Sequence, residues 1–164
     1  MYPEPSQNLT YETDDAVYWF SSAFDPLNNW SAHAVKIWDN YFPTVEHAYH
    51  YRKFADTQSE IAEEVRTSPS PWAAMQLARS HEEHIRSDWH KVKVGVMLEI
   101  LRAKVDQNQD VKNCLLSTGK KHIFENSPWD TFWGCGADGK GENTMGKLLM
   151  KVRDEITLVN RDKI

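Results

Sequence analysis

Residues 87–105 read SDWHKVKVGVMLEILRAKV. Trp89, Val92, Val96, Ile100 and Ala103 recur at helical spacing, and Val94, Met97, Leu98 and Leu101 spread the apolar surface well beyond one narrow stripe. A helix apolar over so much of its girth has to be covered on several sides, so this stretch predicts a long central helix starting near Ser87. C-terminal to it, DVKNCLLST (110–118) reads as a further helix stopped by Gly119, and HIF (122–124) as a brief strand. A glycine-rich segment, DTFWGCGADGKGEN (130–143), then leads into a last helix with Met145, Leu148, Leu149, Val152 and Ile156 on its apolar side and Asn143 as its cap.

N-terminal to the central helix, Ser70 and Pro71 open one helix and SEIAEEVRT (59–67) forms another. Thr44 caps a helix over VEHAYHYRKFAD (45–56), its oxygen accepting a backbone N–H of the first turn. AVYWF (16–20) and AVKIW (34–38) are branched and aromatic and read as short strands, the second ending at an Asp39–Asn40 turn, with SSAFDPLNNW (21–30) an irregular loop between them. The predicted fold class is α+β: a helix-dominated single domain with a small sheet, its core over about residues 18–156 and residues 1–15 a loosely packed N-terminal segment. Its 164 residues suit one domain.

With 40% hydrophobic and 12% aromatic residues, the chain has the material for a packed core and is not a disordered tail. A net charge of -5 disfavours a groove that grips duplex nucleic acid by neutralising phosphates. No apolar run approaches the roughly 18 residues of a membrane helix, and the opening MYPEPSQNLTYETDD lacks cationic and apolar leader regions, so a cytoplasmic location is expected. Cys114 and Cys135 are too few for a disulfide framework and are read as thiols.

Three constellations carry chemistry. Glu46 and Lys53 lie seven positions apart on the early helix, hence on one face together with Tyr49 or His50; they are either a partly desolvated pair beside aromatics or an ordinary solvated ion pair. In the tail segment, glycines let backbone N–H groups approach a ligand and the helix N-terminus at Asn143 offers donors suited to phosphate, although GKGEN fits neither the Walker frame nor GxGxxG. Thirdly, Trp89, Trp129 and Trp133 stand beside Asp88, Asp130 and Gly134, where an aromatic face could clamp a flat base and Asp130 could orient water or stabilise positive charge; core packing is the competing account of each. HAYH (47–50) and HEEH (81–84) space two histidines at helical reach but lack HExxH and a third ligand, so they are expected to be solvated and no metal is assigned.

The ordered blocks FSS…LNNW (20–30), PTVEHAYHYRKF (43–54), RSDWHKVKVGVM (86–97), LRAKVDQN (101–108), LLSTGKKHIFENSPWDTFWGCG (115–136) and GKGENTMGKLLMKVR (139–153) together resemble the NADAR family, which includes N-glycosidases of riboflavin intermediates. The resemblance implies cleavage of a C1′–N bond, either in phosphoribosyl-aminopyrimidine intermediates of riboflavin biosynthesis or in ADP-ribosylated guanine, free or carried in nucleic acid. It implies Glu46, Lys53 and Asp130 as catalytic residues, and Phe20, Ser21, Asn29, Tyr49, Trp89, Trp133, Gly134, Lys140 and Asn143 as substrate-binding positions. No cofactor, membrane or obligate protein partner is implied. LNNW and AKV depart from the Phe usual at their last positions, a difference of packing and selectivity more than of chemistry.

Cleaving such a bond builds positive charge on the sugar, which calls for a carboxylate, an activated water and help for the leaving base. Glu46 is the candidate for the first two and Asp130 for a second acidic role. Lys53 either holds Glu46 ionised and contacts phosphate or ribose, or, with its amine made neutral by burial, attacks the C1′ of a ring-opened sugar as a Schiff-base nucleophile. The rival function is a module that binds ADP-ribose or a related nucleotide without cleaving it.

Overall fold

The structure is a computed structural model that describes residues 9–20 and 25–161, with side chains through residue 159. Its elements in chain order are β1 (Tyr11–Glu12), β2 (Ala16–Trp19), β3 (Val35–Ile37), β4 (Asn40–Phe42), α1 (Val45–Arg52), α2 (Ser59–Arg66), α3 (Pro71–Ser80), a short 3-10 turn (Glu82–His84), α4 (Trp89–Gln107), α5 (Gln109–Ser117), β5 (His122–Glu125) and α6 (Thr144–Arg161). The class is helix-dominated α+β, as the periodicity predicts. The chain forms two compact units, one of Asn29–Lys112 and one of Met1–Asn28 with Asn113–Ile164. Among the described residues no helix is long and apolar enough to cross a membrane.

In the Asn29–Lys112 unit, α1 packs on α2, α3 and α4, and α4 packs on β3. Val96, Met97, Ile100, Leu101 and Val105 of α4 are buried, which is the coverage its wide apolar girth demands. A second cluster gathers Phe54 with Ala62 and Val65 of α2 and Ala74 and Ala78 of α3. The Ser70 side chain accepts the Ala73 N–H at 3.1 Å ahead of Pro71, so α3 starts as the sequence predicts. α4 starts at Trp89 rather than Ser87: the Asp88 carboxylate makes no cap and is held by Arg86 instead, Nε to Oδ1 at 2.5 Å and Nη2 to Oδ2 at 2.9 Å.

The first hairpin corrects the expected turn. Trp38 and Asp39 are its two turn residues, with φ of 52° and 59°, and Asn40 already pairs with Ile37 as the start of β4. That left-handed pair matches the twist of a two-residue hairpin loop, a conformation Trp rarely takes. Trp38 is held there by its own contacts: Nε1 donates to Glu99 Oε2 at 3.2 Å and the Arg52 guanidinium lies 5.3 Å from its ring. A tryptophan is no turn signal, so β4 is not legible in the sequence.

In the other unit β2 is central, antiparallel to β1 and parallel to β5, and α6 packs on β5. Ahead of β2, the exposed edge strand Tyr11–Glu12 pairs with it, the Tyr11 ring stacked 4.5 Å from Tyr18. Gly119, at φ 57°, follows α5 in the left-handed geometry that ends helices. Gly146 lets α6 close on the sheet: a Cβ there would run into the Ile123 carbonyl oxygen and the Asn143 side chain.

Candidate active site

Glu46, Lys53, Tyr49, Trp89 and Asn29 belong to the Asn29–Lys112 unit and are set by the start and end of α1. Thr44 is extended at φ -145° and its Oγ1 accepts the His47 backbone N–H at 3.4 Å. The same oxygen lies 2.8 Å from His47 Nδ1, while His47 Nε2 lies 3.1 Å from the Ser68 carbonyl. A carbonyl only accepts, so the proton sits on Nε2 and the Thr44 hydroxyl donates to Nδ1. Burial pushes the His47 pKa below its ordinary value against the raising effect of the Ser68 bond. The pair of histidines in HAYH, expected to be solvated, is therefore buried, because α1 is covered by three helices.

Glu46 follows in the first turn. Its backbone N–H donates to the Asn29 carbonyl at 3.2 Å, which ties the loop ahead of β3 to α1. Its carboxylate is not paired with Lys53. Oε1 lies 2.9 Å from His50 Nε2 one turn along, with the Glu46 and His50 side chains 13% and 6% exposed. The sequence places His50 on this face, but nothing in the spacing singles it out over Tyr49 as the partner.

At the other end α1 tightens: the Lys53 N–H reaches back to the His50 carbonyl at 3.3 Å, and Phe54 to Tyr51 at 3.0 Å. This turn brings the Lys53 amine 5.3 Å from the Tyr49 ring centre and 5.8 Å from that of Trp89, two buried rings that are themselves 5.0 Å apart. Among the described residues no carboxylate lies within 4.0 Å of it. Burial lowers its pKa from 10.5 to about 8; the Glu46 and Glu82 carboxylates resist the fall, and the Arg79 and Lys93 cations add to it. Trp89, offered by sequence as a base clamp or a core residue, is a buried wall of this amine.

Phe20, Asp130, Trp133, Gly134, Lys140 and Asn143 belong to the other unit; Ser21 lies outside the described residues. Asp130 shapes its own turn, with Oδ1 accepting the backbone N–H groups of Phe132 at 2.8 Å and Trp133 at 2.6 Å. Trp133 stands edge-on to Phe132 at 5.0 Å, and Phe20 lies 5.4 Å from the half-exposed Trp129. Gly134 is needed for close approach, since a Cβ would sit 2.8 Å from Ser127 Cβ and 2.9 Å from the Glu125 carbonyl. Lys140 is exposed on a small turn where its N–H meets Asp138 Oδ1 at 3.0 Å.

The phosphate cradle expected at the start of α6 is corrected here. The N–H groups of Thr144 and Met145 are already taken by the Phe132 and Trp133 carbonyls, each at 3.0 Å. Asn143 is buried, at φ 51°, and its side chain is turned to β5 rather than to the first turn of α6: Nδ2 donates to the Ile123 carbonyl at 2.8 Å and Oδ1 accepts the Glu125 N–H at 3.0 Å. The loop's own carbonyls thus take up the Asn143, Thr144 and Met145 N–H groups, three of the donors that a helix start would offer a phosphate.

The NADAR domain matches residues 10–157 of this chain. The chain belongs to the NADAR family. Among its relatives an N-glycosidase of Nostoc punctiforme is 40% identical over 79% of this chain and 84% of its own length. The N-glycosidase YbiA of Shigella flexneri is 33% identical over 95% of this chain and 98% of its own. The chain also spans 26% of the chloroplastic riboflavin biosynthesis protein PYRR of Zea mays, at 34% identity. The NMR structure of the Escherichia coli protein YbiA superposes with a TM-score of 0.79 at 30% identity, over 94% of this chain and 92% of that one.

Proposed function

We propose that this NADAR protein is an N-glycosidase, a hydrolase that cleaves the C1′–N bond of a small ribosylated substrate, and that its substrate class is the phosphoribosyl-aminopyrimidines of riboflavin biosynthesis. The named activity of the Nostoc and Shigella relatives supports the bond type, and the maize relative supports the substrate class. The observation that carries the chemistry is the Lys53 amine, part-buried against Tyr49 and Trp89, with its pKa brought to about 8 at the C-terminal cap of the helix that holds Glu46. Such an amine supplies a neutral nucleophile near neutral pH.

In the proposed reaction the sugar ring opens, O4′ taking a proton from solvent, which Glu46 later returns, as the C1′–O4′ bond breaks and leaves C1′ doubly bonded to the still-protonated base nitrogen. Neutral Lys53 Nζ adds to C1′, its proton passes to the base nitrogen, and the C1′–N bond breaks to release the free aminopyrimidine. Water then adds to the Lys53 iminium, giving up its proton to Glu46, and the C1′–Nζ bond breaks to return the lysine and free the sugar aldehyde. The products are the base amine and ribose 5-phosphate, one water consumed. Asp130 and Lys140 belong to the other unit, and no step of this reaction is routed through them.

The test is incubation with a phosphoribosyl-aminopyrimidine and, separately, with ADP-ribosylated guanine, each with and without borohydride. Freed aminopyrimidine and a reduced sugar adduct on Lys53 are expected from the first. Base release with no adduct would leave water attack assisted by Glu46 as the route, cleavage of only the guanine substrate would change the substrate class, and binding without release would make the protein a reader. Glu46→Gln should abolish turnover at near-normal affinity; retention of more than about a tenth of the rate, roughly 1.4 kcal/mol of barrier, would exclude Glu46 from the chemical step.

A further inference from the structure

We infer that His50 is the positioning residue of the site: it holds one oxygen of the Glu46 carboxylate and leaves the other for the reacting water. The inference rests on the reading of Glu46 above. The geometry is a pair of side chains one turn apart on α1, Glu46 Oε1 and His50 Nε2 at 2.9 Å, both largely withdrawn from solvent. The Tyr49 ring stands nearly edge-on to the imidazole, 5.3 Å away at 71°, so the ring has little freedom to turn.

The position of the proton follows from the surroundings. His50 Nδ1 is buried with no hydrogen-bond partner among the described residues. A proton on Nδ1 would be a buried donor with nothing to receive it, and the bare Nε2 lone pair would face a carboxylate oxygen; both are costly. The proton therefore sits on Nε2 and is donated to Glu46 Oε1. That bond has one polarity only. Glu46 Oε2 has no hydrogen-bond partner among the described residues, so the carboxylate is presented with one oxygen fixed and one available. A carboxylate free to swivel would lose the near-attack geometry that positioning confers. The anchoring extends backwards through the Glu46 N–H, which binds the Asn29 carbonyl, so the main chain and the side chain of Glu46 are each pinned by one hydrogen bond.

The test compares His50→Leu, which fills the space without a donor, with His50→Gln, whose side-chain N–H can still reach Glu46. With the phosphoribosyl-aminopyrimidine, His50→Leu should lower kcat at least about tenfold with KM within about twofold, and His50→Gln should recover most of that loss. Independently of any substrate, the ring nitrogens of His50 in 15N-labelled protein should show a protonated Nε2 and an unprotonated Nδ1, with the Nε2 resonance displaced in Glu46→Gln. A proton on Nδ1, a kcat unchanged in His50→Leu, or a Gln variant as impaired as the Leu variant would each overturn the assignment. Retained turnover in Glu46→Gln would instead overturn the role of Glu46 itself, while the nitrogen spectrum would still report on the pair.

Discussion

Replacing Lys53 by Met should make the protein more stable at neutral pH while removing its activity. The methionine keeps an unbranched apolar stem of similar length against Tyr49 and Trp89 and deletes only the ammonium. Two effects of that charge oppose each other: its attraction to two ring faces, each about 0.5–2 kcal/mol, and its loss of water on burial. Burial wins, because the folded-state pKa has fallen from 10.5 to about 8. At 1.36 kcal/mol per pH unit, a charged Lys53 then costs the folded state about 3 kcal/mol at pH 7 as an upper figure, and about 1–3 kcal/mol once its partial exposure is allowed for. The sign is fixed by linkage. Between pH 8 and 10.5 the unfolded chain holds a proton that the folded one has released, so wild-type stability rises with pH through that window and the penalty fades above it. The same shift raises the neutral fraction of the amine at pH 7 from about one in 3,000 to about one in 11, which is what a nucleophilic lysine requires. Urea unfolding of wild type and Lys53→Met at pH 7 and pH 10 measures the difference directly: the variant should lead by about 1–3 kcal/mol at pH 7 and by less than about 1 kcal/mol at pH 10. A variant less stable than wild type at pH 7, or a difference that does not change with pH, would refute the reasoning and with it the account of Lys53 as a desolvated amine.

Other outcomes follow from the packing. Gly146→Ala should destabilise by at least about 3 kcal/mol, since its methyl meets the backbone of β5 rather than a side chain that can turn away; a melting temperature within a few degrees of wild type would contradict this. Asn143→Ala should cost about 3 kcal/mol in denaturant unfolding, leaving the Ile123 carbonyl and Glu125 N–H unmatched at a residue with φ of 51°; an effect under about 1 kcal/mol would show that water replaces the amide. His47, buried and neutral with its pKa lowered, contributes stability that is lost as pH falls from 6.5 towards its folded-state value, because only the unfolded chain readily takes the proton; His47→Gln should flatten that acid limb in stability measured from pH 7 to 5.

Most of the helices were legible because each announces itself locally. Ser70 ahead of Pro71, Thr44 ahead of Glu46, Gly119 after α5 and the wide apolar girth of residues 89–105 act through bonds and contacts within a few residues, so spacing and side-chain type suffice to read them. The hairpin turn was displaced by one residue because Trp38 holds a left-handed backbone only with help from Glu99 on α4 and Arg52 on α1. At the candidate site, the sequence established which face of α1 carries Glu46 and Lys53. It left open which groups each side chain would meet. Glu46 meets His50, and Lys53 meets Tyr49, within one turn, choices that the spacing allows but does not decide; that Trp89 walls the Lys53 amine, and that Asn143 and the start of α6 are held by β5 and the glycine loop, depend on elements far apart in the chain coming together. A helix face is fixed by 3.6 residues per turn, whereas desolvation and the choice among equally placed partners are set by whatever packs above that face, and only the folded chain supplies it.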